Sequence, residues 1–366
     1  MPLTKDDVIA ALRTVNDPDL HKDLVTLKMV KNVAVDGSAV DITVELTTPA
    51  CPLKDQIRAD IEKAVHAKAA AKGERVSRID VDFTAEVRSP QDRMAGKENP
   101  LPNVKHIIAV GAGKGGVGKS TVAVNLAVGL ARFGARVGLL DGDIYGPSMP
   151  TMLGLRASEV KAHDNLIEPF QAHGIVSMTI GVLVEPEKPL IWRGPMAHGA
   201  FKQLATQTNW GELDYLIIDL PPGTGDVPLT LAQMLALTGA VIVCTPQRVA
   251  QDDARRAVRM FQQLGVDILG VVENMSYFIC EHGSEYDIFG RGGAEVMAQE
   301  MNLPFLGGIP ITQSLRANGD NGNPTANFET PGPLVDSLNR IVRNLAAQVS
   351  MATMRNVVAQ PTMSIS

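Results

Sequence analysis

Nine consecutive residues, Gly113-Lys114-Gly115-Gly116-Val117-Gly118-Lys119-Ser120-Thr121, bring glycines, two lysines and two hydroxyls together in one stretch. Glycines allow a loop to curl with its backbone N–H groups inward, a nest for anionic oxygens, and a following helix N-terminus adds partial positive charge. The left flank, His106 to Val110, is a nearly continuous apolar run that reads as a buried parallel strand. To the right, Val124, Leu126, Ala127, Leu130 and Ala131 recur at helical spacing. Strand, glycine loop, Lys-Ser and helix form the P-loop context, which predicts ATP as ligand. Lys119 then faces the β and γ phosphates, and the Ser120 hydroxyl ligates Mg²⁺. The competing reading is a glycine-rich turn that binds nothing.

Acids at strand ends come next. Arg136 to Leu140 reads as a buried strand running into Asp141-Gly142-Asp143-Ile144-Tyr145-Gly146-Pro147-Ser148. A carboxylate leaving the carboxyl end of a strand in a doubly wound sheet points into the ligand crevice. Alternatively, Asp141 and Asp143 cap a turn. Tyr215-Leu216-Ile217-Ile218-Asp219 has the form of a Walker B strand, with Asp219 placed to hold Mg²⁺ through water and Pro221 to Asp226 as the following switch. Ile191 to Met196 could serve a dimer face or be a plain loop.

Of three cysteines, Cys244 lies within the apolar run Ala240 to Gln247 and reads as a small core residue. Cys51 directly precedes a proline at an expected helix N-terminus, where the dipole favours thiolate; a buried cap residue is the alternative.

These groups need elements to position them. At 366 residues with a net charge of −6, the chain suits two domains, and three scattered cysteines with no signal-peptide pattern point to the cytoplasm. There is no long basic block and no bilayer-length apolar run, so nucleic acid and membrane are not expected partners. Residues 1–88 read as a small α+β unit. It has a capped helix from Thr4 to about Val15, strands over Leu27–Val35, Ala39–Leu46 and Arg78–Glu86, and a helix over Leu53–Ala71. Residues 89–103 form a proline- and glycine-bearing linker. Residues 104–349 form an α/β domain, a doubly wound, mostly parallel P-loop NTPase sheet, with Ile268–Glu273 as a further strand and a last amphipathic helix over Pro333–Val349. Residues 350–366 are expected to be a flexible tail.

Lysine directly after the first glycine of the loop resembles the deviant Walker A motif of the MinD/ParA/nitrogenase-iron-protein class. That resemblance implies a homodimer with ATP between subunits, Lys114 reaching the partner's phosphates, Asp143 positioning the attacking water and Asn274 reading adenine. Asp17-Pro18-Asp19-Leu20 with Thr48-Pro49-Ala50-Cys51-Pro52 resembles the small domain of iron–sulfur assembly factors, whose cysteine in this stretch is thought functional. Together with Ile218-Asp219-Leu220-Pro221-Pro222-Gly223-Thr224-Gly225-Asp226 and Asn274-Met275-Ser276-Tyr277-Phe278, the chain resembles the Mrp/ApbC family of cytoplasmic ATPases. The resemblance implies carriage of iron–sulfur clusters to apo client proteins, with assembly factors as further partners.

One departure stands out. Many members of that family carry Cys-x-x-Cys here, one pair per subunit, bridging a 4Fe–4S cluster. This chain reads Phe278-Ile279-Cys280-Glu281-His282-Gly283. Two subunits then supply two thiolates where a fully thiolate-ligated cluster takes four. His282 ligation, a bare surface loop, and cysteine from elsewhere (Cys51 or a client's thiol) all remain open. A ParA/MinD-type positioning ATPase is the alternative function, opposed by the acidic balance and weakly charged tail. A nitrogenase-like reductase would need the paired cysteines.

Overall fold

The computed structural model describes residues 2–18, 22–46, 53–85, 99–143, 146–156, 161–163, 166–182, 194–223, 225, 229–231, 234–280 and 282–358. The chain divides into two compact units, Met1–Arg88 and Ser89–Ser366. Cys51 and its flanking motif residues, Ile144, Tyr145, residues 191–193, Thr224, Asp226, Glu281 and most of the expected linker lie outside the described residues.

In the first unit, α1 (Lys5–Leu12) opens with a capping box. Asp7 N–H donates to the Thr4 hydroxyl and the Asp7 carboxylate accepts from Thr4 N–H. It ends before the expected Val15, whose carbonyl instead accepts from Leu24 N–H at 3.0 Å. Strands β1 (Val30–Asp36) and β2 (Ala39–Leu46) pair antiparallel. After helix α2 (Lys54–Ala71), β3 (Arg78–Ala85) lies parallel to β2. The start at Val30 rather than Leu27 has a local cause: Asp23 accepts from Thr26 N–H, and Lys28 sits at φ 57°, so this segment is a turn. Val8, Leu12, Ile42, Val44, Ile57 and Ile61 share its core.

The second unit opens with β4 (Val104–Gly111), α3 (Lys119–Arg132), β5 (Val137–Asp141) and a single turn, α4 (Met149–Met152). Short strands β6 (Ala162–His163), β7 (Leu166–Ile167) and β8 (Phe170–Ala172) lead to β9 (Ile175–Thr179). Helix α5 (Gly194–Gln207), β10 (Leu213–Asp219), β11 (Gly239–Cys244), α6 (Arg248–Gln263) and β12 (Ile268–Glu273) follow. A hairpin of β13 (Phe278–Ile279) and β14 (Glu285–Tyr286), then α7 (Gly293–Glu300), β15 (Phe305–Gly308), α8 (Gln313–Asp320) and α9 (Pro333–Val358) complete it.

The sheet order is β15-β12-β11-β4-β10-β5-β9-β8, parallel throughout except for β8 at the edge. Strands β4, β10 and β11 are almost wholly apolar and buried, as a sheet covered on both faces requires. Residues of α5, α6 and α7 share one core cluster with the sheet, whereas Gly129 of α3 packs against Val342 of α9. The mostly parallel α/β fold expected from sequence is therefore present. The last helix corrects one expectation: it runs to Val358, past the expected end at Val349. Val349, Ser350 and Ala352 are buried, so the core-facing stripe continues past that point, and the hydroxyls of Ser350 and Thr353 are satisfied by the carbonyls of Ala346 and Val349. Among the described residues no helix is long and apolar enough to cross a membrane.

Candidate functional site

The carboxyl ends of β4, β5, β10 and β12 converge, and the predicted chemistry gathers there. Leaving β4, the glycine loop makes two turns at φ 79° (Gly116) and 81° (Gly118) before α3 begins. A Cβ on Gly113 would lie 2.1 Å from the backbone of Asp253 in α6, so only glycine fits. Gly223 N–H donates to Ala112 O at 2.9 Å, tying the segment after β10 to the base of the loop.

Lys119, 6% exposed, projects under the loop. Its Nζ lies 2.6 Å from Asp219 Oδ1, 3.4 Å from Ser120 Oγ and 3.9 Å from Asp143 Oδ2. Asp219 is fully buried at the end of β10, and its Oδ2 has no hydrogen-bond partner among the described residues. Burial raises the Asp219 carboxyl above the usual range, while Lys119 pulls the other way. A buried carboxylate oxygen without a donor, beside a serine hydroxyl, is a donor set that fits a hard divalent cation. Lys114 is half-buried and makes no ion pair with any described residue.

Asp141, read from sequence as an acid at the ligand crevice or as a turn cap, caps the turn to Asp143 and also braces this end of the sheet. Its Oδ1 accepts from Asp143 N–H at 3.1 Å; its Oδ2 accepts from the Thr179 hydroxyl at 3.0 Å and Met149 N–H at 3.4 Å. Burial, and the neighbouring Asp219 carboxylate on the paired strand, push its pKa up to about 7. Asp143 is thus aimed by Asp141. The signal available in sequence was the two-residue spacing of these acids after a strand.

Asn274 is 4% exposed and donates from Nδ2 to Val117 O at 2.9 Å, so it holds the phosphate loop as well as bordering the space beside it. That space is a cavity of about 490 Å³ edged by Gly118, Thr121, Asn274, Pro310, Ile311 and Arg316, the size of a small-ligand site.

Cys280 sits apart, on the β13–β14 hairpin. It is a free, half-buried thiol whose pKa is lowered chiefly by a hydrogen bond from the backbone of His282. His282 is exposed on the same turn. Among the described residues no group of three or more His, Cys, Asp or Glu side chains is gathered to hold a metal ion within one chain. Cys244 is buried in β11 with its pKa pushed up to about 12, which suits an inert core thiol.

Residues 103–346 match the family model described as NUBPL iron-transfer P-loop NTPase, and residues 5–78 match that of an iron-sulfur cluster assembly protein. An iron-sulfur cluster carrier protein of Synechocystis is 49% identical over 358 residues, covering 96% of this chain and 99% of its own. Its counterpart in Escherichia coli K12 is 40% identical over 351 residues, covering 93% and 91%. A nucleotide-binding protein of Archaeoglobus fulgidus solved in complex with ADP is 41% identical with a TM-score of 0.55, covering 61% of this chain and 88% of that one. The glycine loop and the buried Lys119 lie within residues 103–346, two thirds of the sequence, over which the family model matches, and the chain belongs to the family of NUBPL iron-transfer P-loop NTPases.

Proposed function

We propose that the protein is an ATP-hydrolysing carrier that delivers iron–sulfur clusters to apoproteins. The observation that carries this is the Lys119–Asp219–Asp143 constellation beneath the glycine loop, in the same compact unit as the Cys280 hairpin. Lys119 here pairs with Asp219; with ATP bound it would turn to the β and γ phosphates, and Asp219 and Ser120 would hold Mg²⁺. The metal supplies charge neutralisation at the phosphates. The loop N–H groups and Lys119 bind and orient the triphosphate, Asn274 and the 490 Å³ cavity take the nucleoside, and Asp143 orients water toward the γ phosphorus. Water adds to that phosphorus as the bond to the β–γ bridging oxygen breaks, leaving ADP and phosphate. Lys114 adds charge from the partner subunit of a homodimer.

The cargo is an iron–sulfur cluster held at the paired hairpins by Cys280 from each subunit. Its remaining positions are filled by His282, water or an acceptor's thiol, so the cluster leaves readily. Cys51 is the alternative thiol. The cytoplasm, where thiols stay reduced, is the compartment this chemistry suits.

Anaerobic reconstitution tests the reading. Wild type should bind iron and sulfide and pass them to an apo-ferredoxin, and Cys280→Ala should lose iron while keeping its basal ATPase rate. Full iron and normal transfer in Cys280→Ala would refute the hairpin site; loss only in Cys51→Ala would move it to the first unit.

A further inference from the structure

Glu273, the last residue of β12, is 1% exposed and is a buried acid that the nucleotide chemistry leaves unused. It stands immediately before Asn274. Its Oε1 accepts from the Ser276 hydroxyl at 2.5 Å and from Gly292 N–H at 2.9 Å, and its Oε2 accepts from Ala294 N–H at 2.8 Å. Ser276 lies just before the β13–β14 hairpin, and Gly292 and Ala294 lie just after it, at the start of α7. One carboxylate therefore grips both ends of the segment that presents Cys280. The next residue in the chain touches the phosphate loop through Val117 O.

We propose that Glu273 is a positioning residue that makes the stance of the Cys280 hairpin depend on the nucleotide site. Three donors converge on its two oxygens, so only an acceptor-only group satisfies them all. The negative charge also sits at the N-terminus of α7, where it is stabilised. Other bonds hold the base of the hairpin: Ser276 N–H donates to Ile309 O and Ile311 N–H to Tyr277 O. Within the hairpin, Arg291 stacks on Tyr277 at 4.2 Å and pairs with Glu285. The hairpin is thus a stiff plate, and the Glu273 grip is its hinge pin. A displacement of Asn274, as nucleotide enters beside Gly118, passes through one peptide unit to that pin.

Glutamine at this position presents an N–H₂ to at least one of the three donors, setting donor against donor, and removes the charge from the α7 terminus. It leaves Asn274 in register, because Asn274 N–H donates to Cys244 O at 2.8 Å independently of the side chain. Glu273→Gln should thus uncouple the hairpin while sparing the nucleotide site.

The test is the alkylation rate of Cys280 by iodoacetamide, resolved from the other cysteines by peptide mass spectrometry, in the full chain without nucleotide, with MgADP and with a non-hydrolysable MgATP analogue. Wild type should show at least a threefold nucleotide-dependent change in rate. Glu273→Gln should show less than a 1.5-fold change, with analogue affinity within twofold of wild type. Ser276→Ala removes one of the three donors without charge change and should give an intermediate response; it also serves if Glu273→Gln does not fold. Nucleotide dependence preserved in Glu273→Gln, or in Ser276→Ala at full wild-type size, overturns the proposal. The inference rests on the P-loop binding ATP. Failure of wild type to bind the analogue would refute that reading, whereas binding without any change at Cys280 would overturn the coupling alone.

Discussion

The two ends of the proposed reaction are built in opposite ways. At the phosphate loop, three carboxylates and a lysine are buried or nearly so; Asp141 is anchored by three donors and Lys119 is paired with Asp219. At the Cys280 hairpin, Tyr286 (54%), Ile288 (57%) and Phe289 (39%) stand exposed, and the thiol is half-buried. Hydrolysis needs charges fixed in advance, because a charge that must reorganise during the reaction loses its benefit. Handing over a cargo needs access from outside. The difference teaches that the domain keeps its order where the proposed chemistry needs fixed charge and its openness where the proposed hand-over needs access.

Substitutions can break or sharpen that contrast. The largest effect is expected from Lys119→Ala, which removes the charge facing the phosphates and strands Asp219. ATP affinity should fall by about 10³-fold, on the scale of about 4 kcal/mol for breaking a buried charged pair, as read by calorimetric titration. Lys114→Ala should slow turnover by roughly 10³-fold with affinity nearly intact, in the manner of a charge supplied across an interface. Equal loss of affinity in both lysine variants would remove Lys114 from its role across the dimer.

Asp143→Asn should bind ATP but hydrolyse it about 10²-fold more slowly, the usual worth of a group that orients a reacting proton donor; wild-type turnover would exclude Asp143 from the chemistry. A smaller effect concerns pH. Asp141 carries a folded pKa near 7 against an ordinary 3.8, so between these values the folded state holds a proton that the unfolded state has released. The contribution of this group to stability therefore falls as pH rises from about 4 to about 7 and is level above that. Asp141→Asn should flatten that slope in urea titrations at pH 5, 6, 7 and 8; an unchanged slope would deny the shift. Smallest of all, Cys280→Ala should change the unfolding free energy read from urea titration by less than about 0.5 kcal/mol, as substitutions outside the core do. A larger loss would mean that the thiol is packed into the structure and not open to a partner.

How much of this was legible in sequence follows from how far apart the cooperating residues lie. The phosphate loop and the Asp219 strand are contiguous, so spacing alone exposed them, and the parallel α/β fold followed from their buried strands. Asp141 holding Thr179 joins residues 38 apart, and Glu273 holding Gly292 joins residues 19 apart, with nothing in local pattern to pair them. Asn274 was noticed for a ligand, but its bond to Val117, 157 residues away, was hidden for the same reason. Element ends failed for local reasons. The turn at Asp23 and Thr26 delayed β1, and α9 runs past Val349 because small residues there, Ser350 and Ala352, stay buried although they carry little apolar signal.

The first glycine of the loop has a consequence for descent. At Gly113 the obstacle to a side chain is the backbone of α6, 2.1 Å from any Cβ, and backbone cannot swing aside; at Gly118 it is the amide of Asn274, which can, although φ 81° still resists a Cβ. Gly113 is therefore required for the helix to seat at all, whether or not phosphate is ever bound. In a lineage that abandoned nucleotide hydrolysis, Lys119 and Asp143 would be free to drift while Gly113 persisted. Its presence in a distant descendant would be a fossil of the packing, and the lysine, not the glycine, would date the loss of the trade.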